Sequence, residues 1–178
     1  RDLFTEIIFR TGSLIPHFLI LDDPGRAEDD VQAAIARWPQ ETYTLHQHSV
    51  DRSLAQIAIY RGDPAGALEA AQGCWKRLDG SLLRRIAVVR AHAGDLLLRA
   101  QLSAVPDRGR EATLKAAGAG IRRLRKEDLP WTDALAELAG AQVALLDGSA
   151  TAAAEGFDRA IDQLDGANMP LHEAAALW

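Results

Sequence analysis

Reactive side chains are few in this sequence, and most stand at spacings that no catalytic or metal site uses. His172 and Glu173 begin like the zinc-binding helix His-Glu-x-x-His, but Ala176 occupies the place where a second imidazole would share the face. His46 and His48 are two apart, about 200° around a helix, so they do not converge on one ion. Asp22-Asp23 and Glu28-Asp29-Asp30 read as acids favoured by a helix N-terminus, because a calcium loop needs a longer alternation of oxygen ligands. Gly118-Ala119-Gly120, between Lys115 and Arg122, reads as close helix packing in place of a phosphate cradle. There is no P-loop, and the Gly-rich, His-Arg-Asp and Asp-Phe-Gly elements of a protein kinase are absent. Cys74 is the single cysteine, which rules out an internal disulfide, and it stands where neighbouring repeats carry a small packed residue. No catalytic, cofactor-binding or metal-binding residue is assigned, and no cofactor is expected.

Charge is the uneven feature. Residues 76–126 hold 13 basic and 4 acidic side chains, a net of +9, inside a chain whose formal charge is −5. On a helix predicted over 82–104, Arg85, His92 and Arg99 recur every two turns and form a stripe, which Arg122 and Arg125 on the next helix extend. These five are the candidate partner-binding residues. Paired arginine donors suit a protein or peptide carrying an acidic or phosphorylated segment, and His92 would add pH dependence. The alternative is that the basic residues neutralise acids on neighbouring helices. Nucleic acid is not an expected partner, since the total charge is negative and no aromatics interleave with the basic residues. No apolar run approaches the roughly 18 residues of a membrane span, so no membrane partner is expected. The lone thiol fits a reducing cytoplasm.

The elements that must position these groups are helices. Alanine accounts for 33 of the 178 residues, and valine, isoleucine and threonine are too sparse for a sheet. The stretch from Ile57 to Ala71 shows how the helices join. Gly62 suits the left-handed end of one helix, Asp63 the N-cap of the next, and Pro64 its first position. Ala67, Ala71 and Cys74 then follow at i, i+4 and i+7, one helix face. The pattern recurs as Asp22-Asp23-Pro24 with Ala27, Val31 and Ala34, as Asp107-Arg108 with Ala112, Ala116 and Ala119, and as Gly148-Ser149 with Ala153, Phe157 and Ala160. The leading alanines lie 40, 45 and 41 residues apart. A period in this range marks a solenoid whose units bury their apolar faces by stacking on neighbours.

In chain order, the pattern predicts helices over 2–21, interrupted at Pro16, and over 24–38, stopping before Pro39. Helices over 44–61, 64–78 and 82–104 follow, the last with Ile86, Val89, Ala93, Leu97 and Ala100 inward and broken by Val105-Pro106-Asp107. Two more span 108–126 and 150–164; between them Leu129-Pro130-Trp131 starts another, with Ala134, Leu138, Ala141 and Leu145 inward, and Met169-Pro170-Leu171 opens a truncated ninth. The expected fold is all-α, a right-handed α-α superhelix of about four antiparallel hairpins, taken as one domain over 1–178. A chain beginning at Arg1 and stopping inside a helix at Trp178 is expected to be a piece of a longer protein.

The stretch from Gly148 to Ala160, with Gly148, Ala153, Phe157 and Ala160, resembles the second helix of a tetratricopeptide repeat. The repeats here exceed the usual length, and the Trp…Leu-Gly…Tyr signature of the first helix is missing. The phrases Tyr60 to Asp63, Arg99 to Leu102 and Leu129 to Trp131 are similar to the helical-repeat tails of large bacterial serine/threonine protein kinases. That resemblance implies a non-catalytic scaffold or regulatory region of a cytoplasmic signalling protein. A small-molecule-sensing helical array is the alternative.

Overall fold

The computed structural model describes residues 2–38, 42–105 and 109–177, and every regular element among them is helical. In order these are α1 (Leu3–Ile8), a π turn (Phe9–Ser13), α2 (Leu14–Ile20), α3 (Pro24–Ile35), α4 (Leu45–Tyr60) and α5 (Pro64–Asp79). A 3-10 turn (Leu82–Arg85) leads to α6 (Ala87–Ser103), followed by α7 (Arg110–Arg125), α8 (Pro130–Leu146), α9 (Ala150–Gly166) and α10 (Pro170–Leu177). The chain divides into two compact units, Arg1–Leu96 and Leu97–Trp178, with the division inside α6. In each unit sequential helices pack on one another: α3 on α4 and α4 on α5 in the first, α7 on α8, α8 on α9 and α9 on α10 in the second. The expected all-α array of packed hairpins is what forms. α3 ends at Ile35, three residues short of the helix expected to run to Trp38; of the expected Val105-Pro106-Asp107 break and Asp107-Arg108 turn, residues 106–108 lie outside the described residues.

The turns are built as their residues dictate. Gly62 has φ +68°, and the amide of Asp63 reaches back to the Ala58 carbonyl at 3.0 Å, closing a Schellman turn. Asp63 then accepts from the Gly66 amide at 2.9 Å, and Pro64 opens α5. The same back-bond joins Asp23 to Phe18, Ser149 to Ala144 and Met169 to Leu164, each at 2.9 Å, with Asp22, Gly148 and Asn168 in the left-handed conformation.

The seams follow these turns. Ala67, Ala71, Cys74 and Leu78 are buried along α5, and Ala27, Val31 and Ala34 along α3. On α9 the buried set is Ala153, Gly156, Ala160 and Leu164, with Phe157 half-buried against the same core. Gly156 is needed there because a Cβ would lie 3.0 Å from the Ala141 Cβ and 3.2 Å from its Cα. The third copy is corrected by one residue: Ala112 is exposed, and α7 buries Thr113, Ala117, Gly120 and Leu124. Gly118-Ala119-Gly120 serves packing, since a Cβ on Gly120 would meet Leu98 at 3.0 Å.

Two further expectations are refined. The interruption expected at Pro16 takes the form of a π turn just before it, which accommodates the ring without ending the helical run. There the Leu14 amide bonds the Phe9 carbonyl, five residues back. In that register the carbonyl left without a partner by Pro16 is that of Thr11, and the Ser53 hydroxyl of α4 donates to it. In addition, Leu3–Ile20 is long and apolar enough by length and composition to cross a membrane, so an apolar run of that length does exist. In the fold Ile7, Ile15 and Phe18 of this stretch are buried. Its Glu6 and Arg10 pair with each other, and Arg10 also meets Asp30 at 2.9 Å.

Candidate functional site

Arg85 does not share a helix with His92 and Arg99, as the expected stripe required. Ser81 and Ile86 have extended backbone, Leu82–Arg85 makes a 3-10 turn, and α6 begins only at Ala87. Arg85 is therefore off the helix that carries His92 and Arg99, and it is exposed. Ile86, expected inward, is exposed as well, and Leu83 takes the inward place beside Cys74, Leu78, Val89 and Ala93. His92 and Arg99 are half-buried, and each interacts with other groups of the protein. In the second unit Arg122 is exposed on α7, and Arg125 donates to Glu137 of α8 at 3.1 Å. Glu137 also accepts from Arg159 of α9 at 2.8 Å, so its carboxylate ties three helices together. Part of the basic block is thus spent on neighbouring acids, the alternative its charge allowed.

A polar cluster in the first unit was not foreseen. Tyr43 precedes α4, and its hydroxyl donates to Asp51 Oδ2 at 2.9 Å. Arg77 of α5 holds the same carboxylate in a fork, Nε to Oδ2 at 2.8 Å and the second contact to Oδ1 at 2.7 Å. Behind this pair lies His48, only 1% exposed, with Nδ1 3.3 Å from the Tyr43 hydroxyl and 3.6 Å from Cys74 Sγ. Its Nε2 is buried without a hydrogen-bond partner. Burial, then the nearby Arg52 and His92, lowers the His48 pKa to about 4. Burial, then the Asp51 charge, raises the Cys74 thiol to about 11, and burial raises Tyr43.

These directions decide the chemistry. A thiol with so high a pKa and a neutral imidazole do not make a thiolate–imidazolium pair, so Cys74 is held as a packed SH group and is not an activated nucleophile. The pairing of His48 with Cys74 crosses from α4 to α5; the only signal in the sequence was that Cys74 stands at a seam position. His46, as its spacing required, faces elsewhere: it stacks on Trp38 with ring centroids 3.8 Å apart and meets Phe4 edge-on at 4.5 Å. Beside the Asp51–Arg77 pair is a hollow of about 370 Å³ lined by Ile35, Thr42, Tyr43, Gln47, Val50, Asp51 and Arg77. The Gln47 Oε1 accepts from the Thr44 amide at 2.9 Å as a helix cap, and its Nε2 is buried without a partner.

No protein-family model, curated protein or solved structure matches this chain.

Proposed function

We propose that this chain is a protein-interaction module, the scaffold or regulatory helical-repeat region of a larger signalling protein. The supporting observation is the repeated seam: α5, α7 and α9 bury positions at i, i+7 and i+11 and leave their other faces polar. Such helices spend their apolar side on each other, and the outward charges are what remains for a partner. Within this reading the repeats are tetratricopeptide-like, and the parent is a bacterial serine/threonine kinase acting in the cytoplasm. The partner is an acidic or phosphorylated protein segment, taken by exposed arginines of either unit, Arg85 in the first or Arg122 in the second. The test is calorimetric titration of a glutamate-rich peptide and its phosphoserine counterpart into wild type and Arg85→Glu/Arg122→Glu. Binding that weakens in the variant and in high salt is expected. Equal affinity in both proteins would sink the reading.

A second reading, a small-molecule sensor, is favoured by the hollow beside Asp51 and Arg77, which Ile35, Val50 and Gln47 also line, Gln47 having a buried Nε2 without a hydrogen-bond partner. Small carboxylates that raise the melting temperature of wild type but not of Gln47→Leu would support it.

A further inference from the structure

We propose that the elbow at residues 81–88 docks onto the outer face of α9 in a second copy of this chain, joining copies head to tail. This rests on the interaction-module reading and names one partner for it. The elbow is an apolar patch with a basic edge. Leu82 is 77% exposed, Ile86 45% and Val88 44%, three large aliphatic side chains within seven residues. The patch is not a loose loop. Leu83 packs beneath it against the Cys74 core, and Arg90 donates to the Arg84 carbonyl at 2.7 Å. The extended residue Ile86 turns the chain so that Leu82 and Ile86 point outward while Leu83 points in. Arg84 and Arg85 rim the patch. The Arg84 side chain meets Asp79 at 3.5 Å, with both side chains about 60% exposed, a contact of little net attraction.

The chain also carries a matching surface. Glu155, Asp158, Asp162 and Asp165 recur on α9 at intervals of three, four and three, which puts four carboxylates on one face. All four are exposed, and that face lies opposite the seam of Ala153, Gly156, Ala160 and Leu164. The helices packed on α9 expose apolar side chains of their own, Leu145 on α8 and Leu171 on α10. The basic rim of the elbow and the acidic outer face of α9 are complementary in charge. Because the two surfaces are different parts of one chain, the contact is heterologous, and repetition gives open-ended assemblies in place of closed dimers.

Sedimentation of the pure protein tests this. Wild type should show a weight-average mass that climbs with concentration without a dimer plateau and falls back toward the monomer in high salt. Arg84→Glu/Arg85→Glu and, separately, Asp158→Arg/Asp162→Arg should each weaken self-association by about tenfold or more, since like charges then face each other. The four-fold variant combining both pairs restores opposite signs and should recover association. All these positions are exposed, so helical circular dichroism should not change; Leu82→Ser probes the same contact without altering charge and should weaken it too. A wild type that stays monomeric throughout, or that binds anionic vesicles without self-associating, overturns the proposal. So does association that the elbow variants leave untouched. A monomeric protein that still binds the glutamate-rich peptide would end this inference alone; failure of the peptide as well would end the interaction-module reading.

Discussion

Acid should destabilise the first unit through one buried imidazole. His48 is enclosed by Tyr43 and Cys74, its Nε2 lacks an acceptor, and Arg52 and His92 add positive potential around it. Its pKa falls from 6.5 to about 4 on folding. Because this base is harder to protonate when folded, the unfolded chain binds more protons between those values. Stability is therefore intact above pH 6.5 and is lost progressively as pH falls toward 4. The full shift corresponds to roughly 3 kcal/mol at 1.36 kcal/mol per unit, and at pH 5 about 2 kcal/mol of it is already gone. Urea denaturation of wild type and His48→Gln at pH 7 and pH 5 isolates the effect, because the carboxylates common to both proteins cancel in the difference. Wild type should lose about 2 kcal/mol more than the variant between the two conditions. Proton NMR of the imidazole reads the same quantity directly. A His48 titrating at or above 6.5, or equal pH losses in both proteins, refutes the reasoning.

Three further outcomes are expected. Ala67→Leu should overpack its seam and cost roughly 1–3 kcal/mol, while Ala112→Leu, at the exposed neighbouring position, should change thermal stability by less than about 0.5 kcal/mol. Gly156→Val should destabilise the second unit by a similar 1–3 kcal/mol or so, because the Ala141 backbone stands in the way of any Cβ; chemical denaturation followed by circular dichroism measures both. The purified chain should neither hydrolyse ATP nor transfer phosphate, and turnover abolished by a point mutation within 1–178 would contradict the non-catalytic reading.

The turns were legible because their chemistry is local. Gly62-Asp63-Pro64 specifies a left-handed residue, a side-chain cap and a first helical position within three residues, and the structure uses each for that purpose. The seam of α7 was misplaced by one because Ala112 and Thr113 are both small; smallness picks the alanine, whereas the packing of α7 buries the threonine. The elbow was hidden by periodicity. Ile86, Val89, Ala93, Leu97 and Ala100 continue a helical spacing, and no Gly or Pro between 82 and 86 announces that the helix starts after Ile86. The π turn could not be read from its own segment either, since the orphaned Thr11 carbonyl is met by Ser53, 42 residues away. The Tyr43–His48–Cys74 cluster is equally non-local: each residue looks ordinary in its own helix, and only the pairing of α4 with α5 brings them together.

The repeated seams also bear on where specificity can reside. Their small residues let helix axes approach closely, while Val31, Leu78, Leu124 and Leu164 supply the larger apolar area, so the inner faces are committed to packing. On the proposed interaction-module reading, discrimination between partners falls to the outer faces, which carry a carboxylate tying Arg125 and Arg159, an acidic face on α9 and a basic apolar elbow before α6. Variants at Ala67 or Gly156 report on packing, and any loss of binding they cause is a loss of fold. Variants at Arg85 or Asp158 leave the seams intact, so a change in association there reads the surface itself. The contrast between those two classes of substitution separates a scaffold that binds through its outward charges from one whose helices merely hold each other.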